Sequence, residues 1–110
     1  MTAAKLPPFA FGSDNWPGLA KLAEESGEVV QVVGKLMMTG GEPHHWDGTD
    51  LRTRLIEEMA DVVAAVRFVG TYNLTDLEVD ELEARADRKL KQFIEWHITP
   101  HLKAMREHRR

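Results

Sequence analysis

Apolar residues recur at three- and four-residue spacing in three stretches of this chain. In the first, from Leu19 to about Met38, they are Leu19, Leu22, Val29, Val33 and Leu36. This spacing predicts one buried face of an α-helix. Asp14 or Asn15 can cap its start, Pro17 fits its first turn, and Gly40-Gly41 stops it. Gly27 and Gly34 inside it are positions where a neighbouring helix could approach closely. The second stretch runs from about Asp50 to Val69 or slightly beyond. It carries Leu51, Leu55, Val62, Val66 and Val69 on one face, and Gly70 and Asn73 mark its end. Thr75-Asp76-Leu77-Glu78 then matches a capping box. The third helix follows through Val79, Leu82, Ala86, Leu90, Phe93 and Ile94 to about His97, and Thr99-Pro100 is expected to break it.

Residues 1–18 hold Pro7, Pro8 and Pro17 among Phe9, Phe11 and Trp16, and read as an irregular arm. Residues 40–49 read as a turn-rich loop and 99–110 as a polar tail, basic at Lys103, Arg106, Arg109 and Arg110. No stretch alternates with period two, and no repeat appears. The expected fold is all-α: one domain, an antiparallel bundle of three main helices plus a short C-terminal helix or tail, completed by self-association.

Charge matters through its placement. Glu58 lies seven residues after Leu51, three after Leu55, four before Val62 and eight before Val66. Those offsets put it inside the apolar stripe. Asp61, three residues on, falls at the edge of the same face. The first helix repeats the arrangement: Glu25 is three after Leu22 and four before Val29, Glu28 follows one turn later, and Glu24 sits one turn before Glu28. An unpaired ionised carboxylate costs several kcal/mol to bury, and clustered acids raise one another's pKa. Arg54 is the basic residue one turn before Glu58, and Lys21 and Lys35 are the nearest on the first helix. These are too few to neutralise the set. An oxygen-only ligand set suits a hard cation such as Mg²⁺, or Mn²⁺ in its place.

Composition narrows the classes further. The 110 residues are 43% hydrophobic and 29% charged, enough apolar material for one small core. The longest apolar run, Val62 to Val66, is too short to span a membrane. The segment Met1-Thr2-Ala3-Ala4-Lys5-Leu6 lacks the apolar stretch of a cleaved signal, and there is no cysteine. The expected location is cytoplasmic. A net charge of −4 argues against nucleic acid as a partner.

Glu25-Ser26-Gly27-Glu28 followed by Glu58-Met59-Ala60-Asp61 resembles the paired ExxE and ExxD motifs of the MazG-like, all-α nucleoside triphosphate pyrophosphohydrolases. The flanking strings Leu22-Ala23-Glu24-Glu25 and Leu55-Ile56-Glu57-Glu58 resemble that family too, as does Tyr72-Asn73-Leu74-Thr75-Asp76-Leu77 after the second motif. The resemblance implies hydrolysis of a nucleoside or deoxynucleoside triphosphate to the monophosphate and pyrophosphate. By that resemblance Glu25, Glu28, Glu58 and Asp61 would hold Mg²⁺. Glu24, matching the extra acid of the EExxE form, would join Glu25 in orienting the attacking water or hold another metal. Lys89, with Arg85 one turn earlier, would contact the phosphates; Asp87 stands where the family usually has Asn. A homodimer or homotetramer is implied as well.

Trp46 or Trp16 could stack on a base, or anchor a core or interface. Glu42-Pro43-His44-His45 has the ExxH spacing of di-iron bundle ligands, but Pro43 and the neighbouring glycines place it in a loop. His97, on the apolar face of the third helix, reads as a hydrogen-bonded core histidine. The alternative to the enzyme is a non-catalytic helical oligomerisation or regulatory module, with the carboxylates spent in ion pairs.

Overall fold

The computed structural model describes residues 17–43, 48 and 50–108. They form α1 (Pro17–Met38), α2 (Leu51–Asn73), α3 (Asp76–Phe93), a π-helical turn (Ile94–Ile98) and α4 (Thr99–His108). The described residues contain no strand, so the chain is all-α there. None of the helices is long and apolar enough to cross a membrane. The chain divides into two compact units at the Thr75–Asp76 junction.

The first unit is a helical hairpin in which α1 packs along α2. The stop after α1 is built as the glycines require. Gly40 and Gly41 have φ of +64° and +90°, a region that side chains with a Cβ rarely enter. Their amides donate back to Met37 O at 3.2 Å and Leu36 O at 2.8 Å, satisfying carbonyls the helix end would leave free. At the start of α2, Asp50 is the N-cap. Its Oδ1 accepts from the Arg52 and Thr53 amides at 3.0 and 3.2 Å, and its Oδ2 accepts from the Thr53 hydroxyl.

The core between the helices consists of Val32, Leu51, Ala65 and Val69, with Asn73 as its polar member. Val32, not Val33, is the fully buried valine of α1; Val33 is 40% exposed. Both positions satisfy the spacing to Val29 and Leu36, so periodicity does not separate them. The orientation of α1 against α2 does. Nor do Gly27 and Gly34 mark a close approach: a Cβ at either would meet nothing within 4 Å. That approach occurs at Gly18, where a Cβ would lie 2.9 Å from Asn73 Nδ2 and 2.9 Å from Phe68 Cδ1. Gly70 does not end α2 but lies buried inside it, and the helix runs on to Asn73.

The second unit is one helical rod. Thr75 directly precedes α3, as the capping pattern predicts. Thr99-Pro100 does not break the rod, and residues 99–108 are helix α4 rather than a tail. The π turn explains the continuation. The Thr99 amide donates to Ile94 O, five residues back. Pro100, which lacks an N–H, then falls in the first turn of α4, where no partner is needed. His97 is corrected as well: it is exposed within the π turn, not a core residue. No residue of α3, the π turn or α4 is buried, and Leu90, Phe93 and Trp96 are more than half exposed.

Candidate functional site

The site grows from the two facing helices of the hairpin. On α1, Lys21, Glu25 and Glu28 follow one another at helical spacing. On α2, Arg54, Glu58 and Asp61 do the same. Packing these faces together brings one carboxylate oxygen each from Glu25, Glu58 and Asp61 within 4.8 Å of one another. Glu25 and Glu58 are half-buried, whereas Asp61 is exposed.

The cations are shared unevenly. Lys21 Nζ lies 3.4 Å from both Glu24 and Glu25, and its hydrogen bond to Glu24, followed by the charge of that acid and then Glu25, raises its pKa. Arg54 Nη2 is 3.9 Å from Glu28. Glu28 thus faces a guanidinium and stands outside the close trio. Neither Glu58 nor Asp61 has a cation within 4.0 Å among the described residues. The consequence falls on Glu58, whose carboxyl is pushed above the usual carboxylate range. Loss of solvent is the first cause, followed by the charges of Glu28 and Asp61, then Glu25; Arg54 opposes them. An all-oxygen trio under mutual repulsion fits a hard divalent cation, whose charge offsets that repulsion.

Glu25 and Asp61, but not Glu58, line a cleft of about 340 Å³ together with Lys21, Ala64, Ala65 and Phe68. This volume is at the lower end of the ~300–1,000 Å³ of small-molecule sites. Of these lining side chains, Lys21 is one of the bases the spacing offers to the acids, and Phe68 carries no chemical signal of its own in the sequence. Phe68 completes the series Asp61, Ala64, Ala65, Phe68, whose steps keep to one helical face, and Lys21 stands one turn before Glu25.

The other candidates are placed as follows. Glu24 is exposed on α1 beside Lys21. Arg85 and Lys89 belong to the second unit, one turn apart on α3, and Lys89 Nζ lies 6.0 Å from the ring centroid of Trp96. Trp16, His44, His45 and Trp46 lie outside the described residues. The chain matches no known family profile, and no curated protein or solved structure matches it significantly.

Proposed function

We propose that this chain is a metal-dependent nucleoside triphosphate pyrophosphohydrolase. The observation that carries the reading is the convergence of Glu25, Glu58 and Asp61 beside a cleft that Glu25 and Asp61 line, with no cation within 4.0 Å of Glu58 or Asp61 among the described residues. Ion pairs, the structural alternative, account for Glu28 with Arg54 and for Glu25 with Lys21, and both pairs are part-exposed. They do not account for Glu58, whose proton is held more tightly than usual.

Glu25, Glu58 and Asp61 would hold Mg²⁺, or Mn²⁺, with Glu28 one turn beyond Glu25 as a further ligand. Such an ion supplies neutralisation of charge on the triphosphate oxygens. The protein's own part is to position and to move a proton. In the reaction, water adds at the α-phosphorus and the α–β anhydride bond breaks, so the electron pair leaves with pyrophosphate. Glu24 and Glu25 orient that water and accept its proton. Lys21 moderates their charge without leaving α1.

A homo-oligomer belongs to the same proposal. Ile56, Met59 and Val63 make an exposed apolar line on α2, at i, i+3 and i+7, and Val30 and Met37 make another on α1. Self-association covers such surface. Light scattering should return a dimer or tetramer, and Met59→Glu should dissociate it; a wild-type monomer at micromolar concentration contradicts this part.

The deciding experiment is purified protein with Mg²⁺ and a panel of NTPs and dNTPs, scored for monophosphate and pyrophosphate. Orthophosphate release, or no turnover of any triphosphate, refutes the reading. Calorimetric titration with Mg²⁺ and a nonhydrolysable triphosphate separates it from a non-catalytic module, which would bind the nucleotide weakly or not at all.

A further inference from the structure

The helical rod of the second unit carries an apolar line, and none of its residues is buried. Along α3 the line is Val79, Leu82, Ala86, Leu90 and Phe93, at steps of three and four that keep to one side of the helix. On α4 it is Ile98, Leu102 and Met105, at steps of four and three. The step between the two, from Phe93 to Ile98, is five residues. In an unbroken α-helix such a step would carry Ile98 well round toward the opposite side. The π turn spans that step, and its hydrogen bond from the Thr99 amide to Ile94 O takes up the extra residue. The two lines therefore join into one stripe, roughly 40 Å from Val79 to Met105 at helical rise. Its large side chains from Leu82 onward are all at least 39% exposed.

Charge is divided along the same rod. Residues 76–87 carry Asp76, Glu78, Asp80, Glu81, Glu83 and Asp87 against Arg85 alone. Residues 88–106 carry Arg88, Lys89, Lys91, Lys103 and Arg106 against Glu95 alone. An apolar stripe with opposite charge at its two ends is complementary to its own reverse. About a two-fold axis near Gln92, Val79 of one copy stands level with Met105 of the other, Leu82 with Leu102, and Ala86 with Ile98. The same operation sets Glu78 level with Arg106, Glu81 with Lys103, and Lys89 with Glu95. Parallel pairing would instead set Glu81 against Glu81 and Lys103 against Lys103, like charge on like.

We propose that this stripe is an interface whose occupant is the same stripe of a second copy of the chain, running antiparallel. The π turn then has a purpose: it keeps the apolar line continuous across the whole contact. The interface is separate from the exposed line on α2. With both in place the assembly is a tetramer, which Met59→Glu splits into rod-paired dimers. The proposal stands apart from the triphosphate reading and does not depend on turnover.

Two experiments on the full chain test it. In the first, Glu81→Lys is combined with Glu83→Lys in one protein, and Lys103→Glu with Arg106→Glu in another. All four positions are exposed. By light scattering each protein alone should have half the wild-type mass, because its two rod ends now repel in the pair. An equimolar mixture should recover the wild-type mass, since each altered end meets its opposite. In the second, Leu82→Cys and Leu102→Cys are introduced together into a chain that has no cysteine of its own. Oxidation should give a covalent dimer, whereas either substitution alone should not. Within one rod the two positions are roughly 30 Å apart, so they cannot bridge internally. Cross-linking of each single variant means parallel pairing and overturns the proposal. Charge-reversed proteins that keep the wild-type mass, as a rod folded against its own hairpin would, overturn it too. So does a mixture that fails to recover that mass.

Discussion

Glu58→Gln is expected to have two opposite effects. Metal-dependent turnover should fall by roughly 10²–10³-fold, the scale on which a preorganised electrostatic group contributes to catalysis. The metal-free protein should nonetheless become more stable at neutral pH. Glutamine keeps the shape of the side chain but removes a charge that is repelled by Glu28, Asp61 and Glu25 and has lost solvent. The sign against pH follows. Because the folded protein holds the Glu58 proton more tightly than the unfolded chain, its contribution is fully present below the ordinary value of 4.5 and is lost as pH rises through the elevated folded value. The advantage of the glutamine variant over wild type should therefore be largest at neutral pH and close on acidification. Turnover assays and thermal unfolding in the presence of a chelator check both halves. An active variant removes Glu58 from the site, and a less stable one shows that Arg54 was holding it as an ion pair.

The second large effect is that of the metal on stability. An ion that binds the folded hairpin and not the unfolded chain stabilises it by about 2.7 kcal/mol when present at a hundredfold excess over its dissociation constant. Mg²⁺ should raise the unfolding midpoint, and a chelator should reverse the gain. Since a ligand carboxylate must be ionised, the gain should shrink as pH falls through the elevated Glu58 value, the direction opposite to that of the metal-free protein. Asp61→Asn should remove most of the gain while leaving the core of Val32, Leu51, Ala65 and Val69 untouched. A midpoint indifferent to Mg²⁺ at all pH values contradicts the metal assignment.

The site was legible where it depended on one helix at a time. Glu58 stood out because a charged residue occupied an apolar register, and the structure finds it half-buried and electrostatically strained. Glu25 and Asp61 followed from the same offsets. Glu28 has the same spacing to Glu25 that Asp61 has to Glu58, yet it lies beside Arg54 and outside the trio. That difference comes from the lateral offset of two helices, and no spacing within either encodes it. The C-terminal segment takes the helical one of its two expected forms, and only the break at Thr99-Pro100 is absent: the π turn places Pro100 in a first helical turn, where it costs little.

By itself, the sequence determined that the chain is helical, where α1 and α2 begin and end to within a few residues, and which side chains share a face. Those properties depend on helical period, capping and glycine stops, all local. The tertiary structure decided the phase of each face against its neighbour. It chose Val32 over Val33 for the core, gathered three of the acids while giving Glu28 to Arg54, and buried Asn73 at the end of α2. A period states which residues lie together on a helix. Only the packing of a second helix, with Gly18 admitting Phe68 and Asn73 at its closest point, states what they face.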